Sequence, residues 1–220
     1  MIERPVLRDR VRDVLLERIA SGADPPGARL VETRIAQELG TSQAPVREAL
    51  RDLEQLGLVV HEAYRGCSVR AVSAAELLEA FPVRAALEAL AARMAAPRID
   101  DADLDRLDVL VEEMAAAARV GDALAQSHAN AAFHGTVVAA AGNATLVRQW
   151  SLLEPFARTY LTVQRAGVDL AALADRHRPV VAALRARDGA AAAAAMQTHL
   201  EEAERLLAHP ATTATEEHAA

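Results

Sequence analysis

Apolar positions recur at helical spacing three times in the first sixty residues, and then the period shortens. Leu7, Val11, Val14, Leu15 and Ile19 predict a helix over 7–20. Ser21-Gly22 and Asp24-Pro25-Pro26-Gly27 end it in a turn. Ile35, Ala36 and Leu39 predict a second helix over 31–39, stopped by Gly40. Ser42 stands where an N-cap belongs, and Pro45 falls in the first turn of a third helix, where its missing N–H costs nothing. That helix runs to Gln55 with Val46, Leu50 and Leu53 inward, and Gly57 ends it. Leu58-Val59-Val60 and Cys67-Ser68-Val69 predict two short strands with Tyr64-Arg65-Gly66 at the tip between them.

From residue 73 onward only the helical period appears. Ser73 caps a short segment to Ala80, and Pro82 predicts a break and a fresh helix over 82–95, closed by Pro97. Further helices are expected over 101–120, 122–141, 144–165, 169–187 and 190–208, separated by Gly121, Gly142-Asn143, Gly167 and Asp188-Gly189. The alanine run 190–195 suits a closely packed helix. Residues 209–220 are polar and are expected to fray as a disordered tail. The fold class is mainly α: an N-terminal domain over 1–72 and an all-α bundle over 73–208. Helix, helix, turn, helix and hairpin in that order is a winged helix-turn-helix, which sets its third helix in a DNA major groove.

Composition supports the helical reading. Apolar residues make up 52% but aromatics only 3%, so the core must be built from Ala, Leu and Val. There is no uninterrupted apolar stretch of membrane-spanning length and no signal-peptide core, so the expectation is a cytoplasmic protein with no membrane partner. A single cysteine, Cys67, cannot form an internal disulfide. The net charge of −7 is unevenly placed. Residues 1–72 carry 11 Arg against 11 Asp and Glu, whereas residues 73–220 carry 13 against 20. The acidity therefore lies outside the expected DNA-binding part, and phosphate attraction acts locally.

The N-terminal pattern resembles the GntR family of bacterial regulators. The resemblance rests on Pro26-Gly27-Ala28-Arg29-Leu30, Ile35-Ala36-Gln37-Glu38-Leu39-Gly40, Ser42-Gln43-Ala44-Pro45-Val46-Arg47-Glu48-Ala49-Leu50, Gly57-Leu58-Val59 and Arg65-Gly66-Cys67-Ser68-Val69. The second half resembles the FadR-type (FCD) ligand-binding domain through Val83-Arg84-Ala85-Ala86-Leu87-Glu88, Asn130-Ala131-Ala132-Phe133-His134 and Ala141-Gly142-Asn143. The resemblance implies a homodimer on double-stranded DNA with a palindromic operator. It also implies a C-terminal domain that senses a small carboxylate metabolite.

Candidate DNA-binding residues are Arg34, Ser42, Gln43, Arg47, Arg51, Arg65 and Gly66. Arg bridges guanine O6 and N7, and Gln pairs with adenine N6 and N7. Arg65 at the wing tip suits phosphate or minor groove, and Gly66 lets the backbone approach. Gln43 stands where the family commonly has Arg, which implies a different operator. The competing reading pairs these arginines with Glu48 and Asp52 on a solvated helix face.

Asn130 and His134 share one helix face, while His177 and His199 lie on two other helices. By spacing alone these are core or surface residues. The resemblance implies that they hold a divalent metal such as Zn²⁺ or Ni²⁺, with Asn130 neutral where the family usually has Asp. Arg84 is either the bidentate grip on an effector carboxylate or one half of an ion pair with Glu88. Arg158 and Tyr160 are lesser pocket candidates, and Trp150 and Phe156 are expected in the core. His61, His128, His209 and His218 receive no role. Two alternatives follow: a metal-dependent hydrolase using the histidines, or a structural DNA-binding dimer without an effector.

Overall fold

The computed structural model describes residues 7–62, 64–71, 73–153, 159–160 and 169–208. The chain divides into two compact units between Ser73 and Ala74.

In the first unit, α1 (Leu7–Ala20) packs on α3 (Gln43–Gln55), with α2 (Glu32–Glu38) beside it. Val11, Leu15 and Leu16 of α1 are buried, as are Val46, Ala49, Leu50 and Leu53 of α3. Leu7 and Val14, expected inward from their spacing, are exposed, and Leu16 takes the inner stripe instead. Ser42 does occupy the N-cap position of α3, but its side chain makes no capping hydrogen bond. Gly40 turns the chain between α2 and α3 at φ +61°, a left-handed conformation open to glycine at little cost. β2 (Val59–Glu62) and β3 (Gly66–Val69) form the expected antiparallel hairpin. A two-residue strand, β1 (Arg29–Leu30), completes a sheet of order β1-β3-β2, with Leu30 opposite Cys67. Two residues are too few to show an alternating period, so spacing assigns Arg29-Leu30 to no element. Cys67 is buried in the sheet, and burial pushes its thiol up to about 11, well away from a reactive thiolate.

The second unit is helical among its described residues. It comprises α4 (Ala74–Ala95), α5 (Asp101–Val120), α6 (Ala123–Ala140), α7 (Ala144–Ser151), α8 (Leu170–Asp175), α9 (Arg178–Arg185) and α10 (Gly189–Ala208). Asp100, Asp122, Asn143 and Asp169 cap the helices that follow them through side-chain oxygens, which accept otherwise orphaned backbone N–H groups. No described helix is long and apolar enough to cross a membrane.

Three expected boundaries are corrected. Helix α4 runs unbroken through Pro82. Pro82 lies on the exposed side, where water can satisfy the carbonyl its ring cannot, while Leu77, Phe81, Ala85, Ala91 and Ala92 bury the opposite stripe. Packing along that stripe outweighs a local cost of about 3 kcal/mol. The helix expected over 169–187 is two helices broken at Arg176-His177, with Pro179 in the first turn of the second. The helix expected over 144–165 ends at Ser151; residues 154–158 and 161–168, with Phe156 and Arg158, lie outside the described residues, as do His209 and His218. Helix α4 packs along α10, and Ala91, Ala92 and Ala95 of the one and Ala192, Ala193 and Met196 of the other are buried. A Cβ on Gly189 would come within 2.9 Å of the Arg93 carbonyl oxygen, so the closeness of this packing depends on small side chains.

Candidate functional site

The N-terminal unit presents one helix as a ridge. Because α3 spends Val46, Ala49, Leu50 and Leu53 on the core, Ser42, Gln43, Arg47 and Arg51 are left exposed on its outer side. Gln43, Arg47 and Arg51 are spaced by four and so share one face. The intrahelical pairing with Glu48 and Asp52 does not occur. Arg47 instead reaches the carboxylate of Glu32 on α2 through Nε and Nη2, at 3.0 and 2.9 Å. Asp52 meets Arg8 at 3.3 Å, and Arg51 forms no ion pair among the described residues. Arg34 donates to the Arg29 carbonyl at 3.1 Å and lies 3.6 Å from Glu38.

At the hairpin tip Arg65 is exposed and meets Glu62 at 3.1 Å. Gly66 adopts φ +82°, and a Cβ there would make only ordinary contact with Arg29, so its backbone conformation is what calls for glycine. The Arg29 guanidinium donates to the Arg65 carbonyl at 2.7 Å and ties the tip to β1.

The C-terminal unit buries an ionic cluster. His134 on α6, His177 just before α9 and His199 on α10 are all buried, and one ring nitrogen from each lies within 4.8 Å of the others. The break between α8 and α9 fixes His177. Its Nδ1 lies 3.0 and 3.2 Å from the carbonyl oxygens of Leu173 and Ala174, so Nδ1 carries the proton and Nε2 is a bare lone pair. That Nε2 is buried with no hydrogen-bond partner, as is His199 Nδ1. An orphaned buried acceptor costs about 1–3 kcal/mol. His134 faces His199 through Nε2 at 3.3 Å, which matches the separation of about 3.3 Å between two nitrogens sharing one tetrahedral Zn²⁺. The donor chemistry and the orphaned nitrogens fit a divalent ion.

Asn130 lines the same small cavity as His134, His199, Arg84 and Gln126. Its amide nitrogen donates to Thr159 Oγ1 at 3.2 Å, which leaves the amide oxygen as the atom a cation would take. His128 is exposed elsewhere on α6, and His61 pairs with Glu54 on the first unit. Tyr160 is buried.

Glu88 was read from sequence only as a possible partner of Arg84, yet it joins the cluster together. Oε1 accepts from Arg84 Nε at 2.9 Å and from Trp150 Nε1 at 2.8 Å, while Oε2 meets His134 Nδ1. Arg84 pairs with Glu88, the second of the two readings given for it, and it also lines the cavity. Trp150 is a core residue that also donates into this network. The available signal was position: Leu77, Phe81, Arg84, Glu88, Ala91 and Ala95 lie at three- and four-residue steps, so an acid stands on the buried stripe of α4.

Burial by itself would push the Glu88 carboxyl up, but His134, Arg84 and the hydrogen bonds outweigh it and hold the group at about 2. Burial, aided by His134, pushes His177 down to about 3. Burial and the neighbouring histidines push His199 well down too. Both rings thus stay neutral, with lone pairs available at neutral pH. The folded state binds fewer protons at these rings than the unfolded chain, whose histidines titrate near 6.5. Stability without metal is therefore expected to fall as pH drops below about 6.5, by about 1.4 kcal/mol per pH unit for each ring. Urea unfolding between pH 7 and 5 measures this, and a flat profile would contradict it.

Comparisons with known proteins divide the chain in the same way. Residues 7–69 match the family described as "Bacterial regulatory proteins, gntR family", and residues 79–202 match the "FCD domain". The "Probable D-xylose utilization operon transcriptional repressor" of Paenarthrobacter nicotinovorans is 38% identical over 199 residues, spanning 90% of this chain and 88% of that protein. The "Gluconate operon transcriptional repressor" of Bacillus licheniformis is 27% identical over 186 residues, spanning 81% and 76%. In fold, the chain is similar to Escherichia coli McbR/YncC, with a TM-score of 0.69 at 24% identity over 94% of this chain and 99% of that one.

Proposed function

Since the chain belongs to the GntR family of bacterial regulatory proteins and carries an FCD domain, we propose that it is a metabolite-responsive transcriptional repressor acting as a homodimer on a palindromic operator. The observation that carries this reading is the exposed face of α3, with Gln43, Arg47 and Arg51 outward while the opposite face forms the core. Those three side chains read base edges in the major groove, Ser42 and Arg34 hold phosphate, and Arg65 with Gly66 applies the wing to the backbone or minor groove. Arg47 must leave Glu32 to do so. Both groups are partly exposed, so that exchange costs little.

In the C-terminal unit His134, His177 and His199, with Asn130, would hold a divalent ion such as Zn²⁺ or Ni²⁺. When bound, the ion would supply a positive anchor for an effector oxygen. Arg84 spends Nε on Glu88, so its Nη groups are the ones left to grip an effector carboxylate. The relatives act on operons for D-xylose and gluconate use, which favours a hydroxylated, sugar-derived acid as effector. The effector releases the operator only by binding the released state more tightly than the DNA-bound state.

The hydrolase alternative is set aside. The relatives are regulators, and the carboxylate nearest the histidines, Glu88, is already committed to Arg84, Trp150 and His134 and cannot serve as a base for water. Fluorescence anisotropy on a duplex from the region upstream of the protein's own gene tests the proposal, with sugar acids titrated in. The wild type is expected to bind at low salt and be released. Arg84→Ala is expected to resist release, with circular dichroism as the folding control because it leaves Glu88 buried without its counter-charge. Equal release at saturating acid would remove Arg84 from the pocket, and no binding at low salt would refute the regulator reading.

A further inference from the structure

We infer that Glu88 is a positioning residue through which the Arg84 pocket and the histidine site control one another. The inference rests on reading the three histidines as a metal site. Glu88 is fully buried and is the acid that meets the cluster among the described residues. Its two oxygens face opposite ways. One carries the Arg84 guanidinium and the Trp150 indole; the other holds His134 at Nδ1. A carboxylate on Nδ1 fixes the orientation of the ring and aims Nε2 at the metal position. Among the described residues no carboxylate meets the other two rings: His177 is held at Nδ1 by two backbone carbonyls, and His199 faces His134.

The potential donors, three imidazoles and the Asn130 amide, carry no negative charge of their own. The site therefore draws on Glu88 for the nearest anion, and Arg84 competes for that same charge at 2.9 Å. In a buried setting such competition is weakly screened. Anything that takes up the Arg84 charge releases Glu88 to act on His134. An effector carboxylate on Arg84 thus strengthens metal binding, and by reciprocity the metal strengthens effector binding.

Two substitutions with opposite signs test this without knowledge of the effector. Zn²⁺ affinity is measured by chelator competition at fixed pH for wild type, Glu88→Gln and Arg84→Met, with circular dichroism as the folding control. Glu88→Gln keeps the shape and the acceptor for Trp150, and is expected to weaken Zn²⁺ binding about 10- to 100-fold. Arg84→Met is expected to tighten it, because the competing cation is gone. A purely structural role would weaken both. Equal Zn²⁺ affinity in wild type and Glu88→Gln, or weaker binding in folded Arg84→Met, overturns the inference while leaving the metal reading intact. Absence of Zn²⁺ binding to the wild type overturns the metal reading itself.

Should Arg84→Met fail to fold, the protein's single tryptophan provides the second measurement. Trp150 donates to the same oxygen as Arg84. Zn²⁺ is expected to shift its emission in the wild type but not in Glu88→Gln, and an identical shift in both refutes the coupling.

Discussion

Arg47→Ala combined with Arg51→Ala is expected to weaken operator binding about 100-fold or more while leaving the fold intact. Each bidentate Arg–guanine contact is worth about 1–3 kcal/mol of discrimination, and the two sites are one helical turn apart on the same face. Folding should not suffer, because both side chains are exposed and the loss of Arg47 only returns Glu32 to water. The salt dependence separates the two possible roles. If the arginines contact phosphate, the slope of log affinity against log salt should become shallower by about four, two charges being lost from each protomer of the dimer. If they read bases, the slope is unchanged and the mutant loses its preference for operator over random duplex. Anisotropy titrations across a salt series measure both quantities. A loss below threefold at low salt would show that α3 does not carry the recognition.

Glu88→Ala is expected to destabilise the C-terminal unit by about 3–5 kcal/mol. The substitution leaves the Arg84 guanidinium buried with no counter-charge, and strips the indole of Trp150 and Nδ1 of His134 of their partner. Removing one member of a buried ion pair is costly because the other remains uncompensated in a low-dielectric site. The melting temperature should fall by about 10 °C or more. Adding Arg84→Leu should recover part of the loss, since an apolar pair in place of a buried ion pair is often neutral. Calorimetry on both variants, without added metal, decides it. A single-mutant loss below about 1 kcal/mol would mean that water reaches the cluster.

The N-terminal fold was largely legible. Its helices are marked by glycines, by prolines and by a three-four apolar spacing that matches 3.6 residues per turn, and its hairpin by two short apolar runs. What escaped was β1, too short to have a period, and the inward face of α1, where Leu16 rather than Leu7 or Val14 meets α3. In the bundle, Pro82 predicted a break that packing did not allow. The break that does occur, at His177, was hidden inside a continuous helical pattern.

The candidate sites divide in the same way. That Gln43, Arg47 and Arg51 share one exposed face of α3 was legible, because helical surface follows directly from sequence spacing. Arg47's partner was not legible: Glu32 lies fifteen residues away on another helix. Asn130, His134, His177 and His199 came from resemblance, and spacing alone gave no reason to join them.

The sequence by itself determined the local matter: which segments coil, where they stop, and which side chains each helix turns outward, since these depend on neighbours within a few residues. The tertiary structure alone decided that three histidines, an arginine, a tryptophan and one acid share a single buried site. Trp150 stands 62 positions from Glu88, and His199 stands 65 from His134. Their meeting depends on how α4, α6, α7 and α10 stack, and stacking is set by the summed fit of many small side chains rather than by any motif.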